Sequence, residues 1–450
     1  MSAEHKFPKD FLWGAATCSY VFEGAAWEDG KGESIWDRFC AIPGKILNGD
    51  KIDVACDHYH RYKEDVAIMK EMGLGAYRFS ISWPRIFPEG KGAANPRGLD
   101  FYRRLCESLL EVGIKPAATI YHWDLPARLQ DAGGWANRDT AKHYRDYAAC
   151  LFEKLGDLVP MWITHNEPWC VAFLGNGTGH QAPGIKDYKV AVQVSHHLLL
   201  SHGLAVEAFR QSPVCKTGTI GITLNLSPIH ARSASAADEA ARRRQDAALN
   251  RWFLDPIFKA EYPAEAWQWY ERKGWLPEMA QGDLELVAQP LDFLGINYYN
   301  RGIVYDDPQE SIYGLSSVCG GNANEEKEKG IWYPQGLREL LIRIKQDYGD
   351  IPQYITENGW PVTDTLDGHG HVNDEVRIKY IREHLVEAAR ALEQGVDLRG
   401  YFVWSLTDNF ESAYGYSSRF GLIYIDYADL KRIWKKSAYW YRDVIRNNAV

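Results

Sequence analysis

The chain has 450 residues, of which 46% are hydrophobic and 25% charged, a composition that suits a globular protein with a large core. Its formal net charge of −9 would repel nucleic acid and anionic membrane surfaces, so we expect neither as a partner. No apolar run approaches the roughly 18 residues of a membrane span. Residues 1–9 are polar and lack the hydrophobic core of a signal peptide, which predicts a cytoplasmic protein.

Short, strongly apolar segments alternate along the chain with segments of helical periodicity. The predicted strands are residues 12–17, 76–82, 117–123, 161–165, 219–225, 293–299, 353–356 and 400–405. The predicted helices are residues 62–72, 99–112, 140–155, 188–210, 236–260, 336–347 and 374–393.

The strand segments are mostly continuous hydrophobic runs, the pattern of parallel strands that are buried on both faces. Strands that alternate with helices indicate βαβ units, and eight such units close most economically into a barrel. No linker, short repeat or low-complexity tract marks a domain boundary. We therefore predict one α/β domain over residues 1–450, a single (β/α)8 TIM barrel with elaborated βα loops. The polar segment 306–329, rich in Gly, Asn and Glu, is predicted to lie on the rim of the active site.

Two features of the composition bear on the kind of site. The eight cysteines are scattered, with no C-x-x-C pair and no histidine at zinc-finger spacing, which predicts reduced thiols rather than disulfides or a structural metal. Aromatic residues make up 13% of the chain. Aromatic rings pack against the C–H faces of sugars, so this surplus suits a carbohydrate cleft, and it suits a Trp-rich core equally well.

Polar residues interrupt the apolar pattern at the carboxyl ends of the predicted strands, where active sites of such barrels lie. The second predicted strand carries Arg78. The polar segments at the ends of later strands are Tyr121-His122-Trp123-Asp124, Thr164-His165-Asn166-Glu167-Pro168-Trp169, Asn297-Tyr298-Tyr299, Ile355-Thr356-Glu357-Asn358-Gly359, Trp404-Ser405 and Asn409-Phe410-Glu411. We expect these side chains to face one common rim.

Glu167 and Glu357 stand out because each lies beside an asparagine at the end of an apolar strand. Either glutamate alone would be read as a solvated loop carboxylate. A carboxyl pair across one barrel mouth suits glycosidic bond cleavage, in which one group donates a proton to the leaving oxygen while the other attacks the sugar carbon. A separation of about 5 to 5.5 Å would give retention, and about 6.5 to 9.5 Å inversion. The residues alone leave that choice open.

Several motifs resemble those of family 1 glycoside hydrolases, in order and over nearly the whole chain. Thr164-His165-Asn166-Glu167-Pro168 and Ile355-Thr356-Glu357-Asn358-Gly359 resemble the T-x-N-E-P and I-T-E-N-G signatures of that family. The further matching blocks are Phe11-Leu12-Trp13-Gly14-Ala15-Ala16-Thr17, Glu23-Gly24-Ala25, Ser34-Ile35-Trp36-Asp37, Tyr77-Arg78-Phe79-Ser80-Ile81-Ser82-Trp83-Pro84-Arg85, Tyr121-His122-Trp123-Asp124-Leu125-Pro126 and Arg419-Phe420-Gly421-Leu422.

The resemblance implies a retaining mechanism through a covalent glycosyl-enzyme, with Glu167 as acid/base and Glu357 as nucleophile. It also implies that Arg78 and Tyr298 lie against Glu357 and that Asn166 holds the 2-hydroxyl of the sugar. It implies no metal and no cofactor, and a small-molecule glycoside or oligosaccharide as the partner. The other substrate contacts that it implies are His122, Trp123, Asn297, Trp404, Glu411 and Phe420.

The sequence departs from the family pattern at two positions. Val21 stands where relatives that hydrolyse glucosides usually have Gln, and Ser412 stands where they usually have Trp. Both missing side chains would bind the 3- and 4-hydroxyls of the sugar, so we predict a pocket that is opened or less polar on that side. Such a pocket would accept a substituted, deoxy, oxidised or extended glycone, and Tyr414 would supply a ring that stacks on it.

Four other readings stay open. Neighbouring residues compensate and the enzyme is an ordinary β-glucosidase, or the glycosyl-enzyme passes its sugar to another sugar rather than to water. A 6-phospho-glycosidase is a weaker alternative, because Tyr416-Ser417-Ser418-Arg419 lacks the Lys and Tyr that hold phosphate in such relatives. A carbohydrate-binding pseudoenzyme is weaker still, because both glutamates remain. Assembly into a homo-oligomer is also left open.

Overall fold

Eight parallel strands form a closed barrel in a computed structural model that describes residues 5–317 and 332–450. The strands, named here in chain order, are β1 (Leu12–Ala16), β2 (Ala76–Ser80), β3 (Lys115–Tyr121), β4 (Met161–Asn166), β5 (Thr219–Asn225), β6 (Phe293–Asn297), β7 (Gln353–Asn358) and β8 (Leu398–Trp404). Each strand pairs with the next one along the chain, and β1 closes the barrel on β8. The predicted (β/α)8 barrel is therefore confirmed.

The helices of the barrel lie outside the strands. The longer helices are His58–Met72, Pro96–Glu111, Asp139–Leu155, Tyr188–Gln211, Ala236–Asp246, Trp252–Lys259, Ala264–Lys273, Gln335–Tyr348, Glu375–Glu393 and Lys436–Asn447. The short helical turns are Ser19–Phe22, Ile35–Cys40, Leu47–Gly49, Trp83–Ile86, Ala127–Asp131, Gly134–Ala136, Cys170–Gly175, Ala247–Arg251, Asp283–Val287 and Ser412–Ser417. Among the described residues, no helix is long and apolar enough to cross a membrane.

The predicted helix over residues 236–260 is not continuous. A π-helical turn, Ala247–Arg251, separates Ala236–Asp246 from Trp252–Lys259. Within that turn, Asn250 donates from Nδ2 to the carbonyl oxygen of Ser227 and accepts from the Ser227 amide. The extra residue of the π turn thus directs Asn250 toward the loop that follows β5. The sequence prediction missed this turn because apolar periodicity does not distinguish it from a continuous helix.

Within residues 5–317 and 332–450, five short strands lie outside the barrel. Ile229–Ala231, Gly302–Asp306 and Leu315–Ser317 form a small sheet, and Ile423–Asp426 pairs with Lys431–Trp434. The predicted rim loop 306–329 therefore begins with strand structure, and its residues 318–329 lie outside the described residues. The seven cysteines that the structure describes are all free.

The barrel is irregular at the ends of β4 and β7. The register between β4 and β5 shifts between Ile163 and Asn166, and the register between β7 and β6 shifts between Ile355 and Glu357. A register shift re-aims the side chains that follow it. Two of the polar strand ends found in the sequence are thus turned relative to a regular pleat.

Candidate active site

A cavity of about 210 Å³ opens at the carboxyl ends of the barrel strands. It is lined by Cys18, Tyr20, Val21, His122, Trp123, Asn166, Glu167, Tyr299, Glu357, Trp404, Glu411, Ser412 and Phe420. A larger groove of about 820 Å³ lies elsewhere, but its two glutamates, Glu271 and Glu278, are exposed. Volume alone does not mark the site, whereas two buried carboxyl groups in one cavity do.

Glu357 is held on both carboxylate oxygens. The Arg78 guanidinium donates from Nη1 to Oε1 at 2.7 Å, and the Tyr299 hydroxyl donates to Oε2 at 2.7 Å. Arg78 is almost completely buried, so this ion pair is shielded from solvent. A charge-assisted hydrogen bond and a hydroxyl donor thus fix the orientation of this carboxyl group.

Four strand residues at the cavity are joined by hydrogen bonds and form what we call the strand network: Arg78, Asn166, Asn297 and Thr356. Arg78 Nη2 donates to Asn166 Oδ1 at 2.6 Å, and Asn297 Nδ2 donates to the same oxygen at 3.0 Å. Thr356 Oγ1 donates to Asn297 Oδ1 at 2.8 Å. A guanidinium can only donate, so the atom of Asn166 that it contacts must be the amide oxygen, Oδ1. The atom of Asn297 that contacts this oxygen must then be the amide nitrogen, Nδ2.

Gly295 on β6 makes room for this network. A Cβ atom at this position would lie 2.3 Å from Thr223 Oγ1 and 2.8 Å from Thr356 Cγ2. The two threonines come from the neighbouring strands β5 and β7, and the Thr223 hydroxyl donates to the Thr356 hydroxyl at 3.2 Å. Glycine therefore allows the contact that positions Thr356 under Asn297.

Glu167 has a different environment from Glu357. Its carboxyl accepts from Asn297 Nδ2 at 2.7 Å on Oε1 and from Cys170 Sγ at 3.1 Å on Oε2. Burial, followed by the negative charge of Glu357, raises the pKa of Glu167 to about 7. The two donors and the more distant Arg78 oppose this shift. At neutral pH this carboxyl group is therefore able both to give and to take a proton.

Two residues of the cavity adopt left-handed backbone conformations. Glu167 has φ of 48° and Trp123 has φ of 79°. These angles are costly for residues that carry a side chain, and they persist where surrounding contacts enforce them. The Glu167 amide donates to the Thr223 carbonyl at 2.9 Å, and the Trp123 indole donates to the Asn166 carbonyl at 2.9 Å. Both side chains are thereby directed into one cavity.

His122 stacks on Trp404, with ring centroids 5.8 Å apart and an interplanar angle of 26°. Its Nε2 accepts from Asn166 Nδ2 at 3.0 Å, which places the proton of a neutral imidazole on Nδ1. Burial, and secondarily Arg78, lowers the pKa of His122 well below its ordinary value. His122 is therefore neutral, and it adds no charge beside the two glutamates.

Three residues form what we call the side wall: Val21, Glu411 and Ser412. Val21 is buried and apolar, and the Ser412 hydroxyl lies 3.4 Å from the hydroxyl of Tyr20. Burial raises the pKa of Glu411 to about 8, a hydrogen bond from Trp404 opposes this, and Glu357 and Glu167 add to it. The side wall thus offers one carboxyl, one hydroxyl and one aliphatic side chain to a bound sugar.

The comparisons with known proteins agree with this geometry. The sequence profile of glycosyl hydrolase family 1 matches residues 3–450. The chain belongs to this family. It is 50% identical to β-glucosidase A of Acetivibrio thermocellus over 98% of this chain and 99% of that protein. The family 1 β-glucosidase structure from Thermotoga maritima is 45% identical, covers 100% of both chains and superposes with a TM-score of 0.95.

Membership of family 1 makes the chain an O-glycosyl hydrolase and a retaining β-glycosidase, which confirms the reaction class that the motifs implied. A second solved structure of the Thermotoga maritima enzyme, in complex with glucoimidazole, is 46% identical and superposes with a TM-score of 0.94 over 99% of this chain and 100% of that chain.

One predicted contact of this family 1 site is wrong. Tyr298 does not lie with its hydroxyl against Glu357, because it donates to the carbonyl oxygen of Tyr333 at 2.6 Å. Tyr299 occupies the predicted place. Successive side chains of an extended chain point to opposite sides, so Asn297 and Tyr299 face the site while Tyr298 faces away.

The other predicted residues fall into three groups. His122, Trp123, Asn166, Trp404, Glu411, Val21, Ser412 and Phe420 line the cavity with the two glutamates. Arg78 and Asn297 do not line it but contact Glu357 and Glu167 through hydrogen bonds. Tyr414 is absent from the lining, and its side chain is 58% exposed, so the predicted stacking ring does not face the cavity.

Three residues that line the cavity were not predicted as site residues: Cys18, Tyr20 and Tyr299. Cys170, whose thiol contacts Glu167 without lining the cavity, was not predicted either. Strand alternation is the signal that identifies Tyr299. Cys170 follows Glu167 by three residues, which is one helical turn, and that spacing is a signal for contact on a helix. Cys18 lies just beyond β1, and its type alone carries no signal of a sugar site.

Proposed function

We propose that Glu357 is the nucleophile and Glu167 the acid/base of a retaining β-glycosidase that removes terminal, non-reducing β-linked sugars. The observation that carries this assignment is the unequal environment of the two carboxyl groups. Glu357 accepts hydrogen bonds from a buried guanidinium and a phenol hydroxyl, one on each oxygen, which orient it for attack. The pKa of Glu167 is raised to about 7, which allows it to be protonated at neutral pH.

In the first step, a Glu357 oxygen attacks the anomeric carbon while Glu167 transfers its proton to the leaving glycosidic oxygen. A covalent bond forms between Glu357 and the sugar, and the bond to the aglycone breaks. In the second step, Glu167, now a carboxylate, removes a proton from water as that water attacks the anomeric carbon and releases Glu357. Asn166, which is oriented by Arg78 and Asn297, donates toward the sugar 2-hydroxyl, and this contact strengthens as positive charge develops.

The role of Glu167 is tested by the dependence of Glu167→Gln on the leaving group. We expect kcat/KM to fall by about 10²- to 10⁴-fold for a glycoside with a poor leaving group and to change little for a dinitrophenyl glycoside, which needs no proton. Wild-type protein should gain the mass of one sugar when it is treated with a 2-fluoro glycoside, and the labelled peptide should contain Glu357. Equal losses for both leaving groups, or a label on another residue, would refute the assignment.

For the sugar itself, we propose a pocket that is altered on the side of the 3- and 4-hydroxyls. Val21 and Ser412 support this proposal because both line the cavity that holds the two glutamates. Val21 offers no hydrogen bond, and the Ser412 hydroxyl is within 3.4 Å of Tyr20 rather than reaching across the cavity. Two or three missing hydrogen bonds of about 0.5 to 1.5 kcal/mol each would reduce recognition of unmodified glucose by about one to three decades.

The matching experiment compares wild type with Val21→Gln/Ser412→Trp on a panel of aryl glycosides and disaccharides. We expect kcat/KM of the double variant to rise by at least about tenfold on the β-glucoside. We expect its kcat/KM to fall on glycosides with deoxy, oxidised or extended glycones. Ser417→Trp is the control, because it makes the same exchange in the same helical turn at an exposed position. Efficient wild-type turnover of the glucoside with no gain in the double variant would contradict the altered pocket.

Ordinary β-glucosidase activity is the second function with specific support. Trp404 and Glu411 still line the cavity, and the A. thermocellus and T. maritima relatives are named β-glucosidases. A pocket specialised for 6-phosphorylated sugars has less support. Arg419 is ion-paired with Asp408 and stacks on Tyr424, so its charge is already engaged. The glycoside panel therefore includes a 6-phosphorylated substrate, on which we expect no preference.

A further inference from the structure

A thiol lies against the carboxyl group that we assign as acid/base. Cys170 begins the π-helical turn Cys170–Gly175, and its amide donates to the Glu167 carbonyl at 2.9 Å. Its Sγ lies 3.1 Å from Glu167 Oε2 and donates to it. The thiol is buried, and burial, then Glu167, raises its pKa well above the ordinary value, so it remains a thiol and a donor.

The two oxygens of Glu167 are not equivalent. Oε1 accepts from Asn297 Nδ2, and the amide orientation is established through Asn166 by the Arg78 guanidinium, which has only donors. Both oxygens accept a hydrogen bond, but an amide N–H is a stronger donor than a thiol S–H, so Oε1 is the less basic of the two oxygens. When Glu167 is protonated, its proton therefore resides on Oε2, the oxygen that Cys170 contacts.

From this juxtaposition we propose that Cys170 is a positioning residue for proton transfer. The S–H group occupies one lone-pair direction of Oε2, so the acidic hydrogen of Glu167 takes the other direction, into the cavity and toward the leaving oxygen. The inference rests on the proposed role of Glu167. A thiol suits this position because it is a weaker donor than a hydroxyl, so it orients the oxygen while stabilising the carboxylate less.

The pH dependence of this step involves every ionisable group around Glu167. Those that face it are Glu357 on β7, Arg78 on β2, Tyr299 after β6, Glu411 after β8 and Cys170 itself. His122 lies nearby on the other side of Asn166 and is neutral. A substitution at Cys170 changes none of these other groups, so a shift of the alkaline limb of kcat/KM reports the thiol contact.

The test is the pH profile of kcat/KM for Cys170→Ser and Cys170→Ala on a glycoside with a poor leaving group. A hydroxyl is a stronger donor to the carboxylate, so we expect the alkaline limb of Cys170→Ser to move down by about 0.5 to 1 pH unit. Removal of the donor in Cys170→Ala should move the limb upward. Its loss of kcat/KM should be about three- to tenfold on the poor leaving group and less than about twofold on a dinitrophenyl glycoside.

Cys150→Ser is the control, because that half-buried thiol lies on the outer helix Asp139–Leu155 and should leave both the limb and the rates unchanged. Unmoved limbs in both Cys170 variants, or equal losses on both leaving groups, overturn the proposal. Glu167→Gln, measured in the same assays, separates the two hypotheses. If the loss in Glu167→Gln depends on the leaving group, only the role of Cys170 is refuted. If the loss does not depend on the leaving group, the assignment of Glu167 as acid/base is refuted as well.

Discussion

The strand network and the side wall of the cavity are built from different parts of the fold. The strand network consists of residues on or at the ends of barrel strands, and each of its members is bound to another one. The side wall comes from the helical turn after β1 and the loop after β8, and only Glu411 among its members is ionisable. A substitution of Val21 or Ser412 therefore leaves the charges around the two glutamates unchanged, whereas one in the strand network disturbs the hydrogen bonds that hold these glutamates.

Matched Glu→Gln substitutions give the largest expected contrast between the two regions. Glu357→Gln should lose at least about four decades in kcat, because the group that forms the covalent intermediate is removed. Glu411→Gln should lose far less and should still be labelled by a 2-fluoro glycoside, which intact mass would show. If Glu357→Gln were labelled at the wild-type rate, Glu357 would not be the residue that forms the covalent intermediate.

Tyr299→Phe and Tyr298→Phe test which tyrosine supports the nucleophile. Tyr299→Phe removes a hydrogen bond to a carboxylate, worth about 1.5 to 3 kcal/mol, so kcat should fall by about 10- to 150-fold. Tyr298→Phe removes a hydrogen bond to a backbone carbonyl outside the cavity and should change kcat by less than about threefold. Steady-state kinetics on one aryl glycoside decides between them, and the reverse order would restore the prediction made from the sequence.

The sequence predicts the barrel strands and the two glutamates, but it does not predict that Tyr299, and not Tyr298, contacts Glu357. Each of the eight barrel strands was predicted, because strands that are buried on both faces give long apolar runs; all five residues of β2, for example, are buried. Glu167 and Glu357 were found because charged residues at the ends of such runs are unusual. The choice between Tyr298 and Tyr299 depends on which side of the extended chain each residue faces, and the family resemblance does not contain that information.

Other features depend on contacts that no local pattern encodes. The π-helical turn at Ala247–Arg251 serves a contact from Asn250 to the loop after β5, which is distant in sequence. The orientation of Asn297 follows from Arg78 on a strand more than 200 positions away. The raised pKa of Glu167 arises from burial and from Glu357, so it appears only when the barrel has closed.

Thr356→Val and Ser412→Ala compare the loss of one hydroxyl in each region. Thr356→Val leaves Asn297 Oδ1 without its donor, so unfolding free energy should fall by about 1 to 3 kcal/mol and activity should fall with it. Ser412→Ala should cost less than about 0.5 kcal/mol, because its 3.4 Å contact with Tyr20 is long. Denaturant unfolding measures both, and equal costs would show that the side wall is as tightly determined as the strand network.

The smallest expected effect on catalysis concerns Asp124, which supports the side wall from behind and acts on stability instead. Its Oδ2 accepts from Ser19 Oγ at 3.0 Å, two positions before Val21 in the chain. Burial raises the pKa of Asp124 to about 8 from an ordinary value near 4, so the folded protein holds a proton that the unfolded chain has released above pH 4. This group therefore contributes stability at low pH that is lost as pH rises from about 4 to about 8.

Asp124→Asn should remove that dependence while keeping an oxygen for Ser19. Between pH 6 and pH 8, we expect wild type to lose about 2 kcal/mol of unfolding free energy more than Asp124→Asn does. Thermal or denaturant midpoints of both proteins at the two pH values measure the difference, with kcat as a control that should change less than in Tyr299→Phe. Parallel stability curves would mean that Asp124 is ionised in the folded protein. A buried negative charge would then lie behind the side wall, so that this region too would bear on the charges of the site.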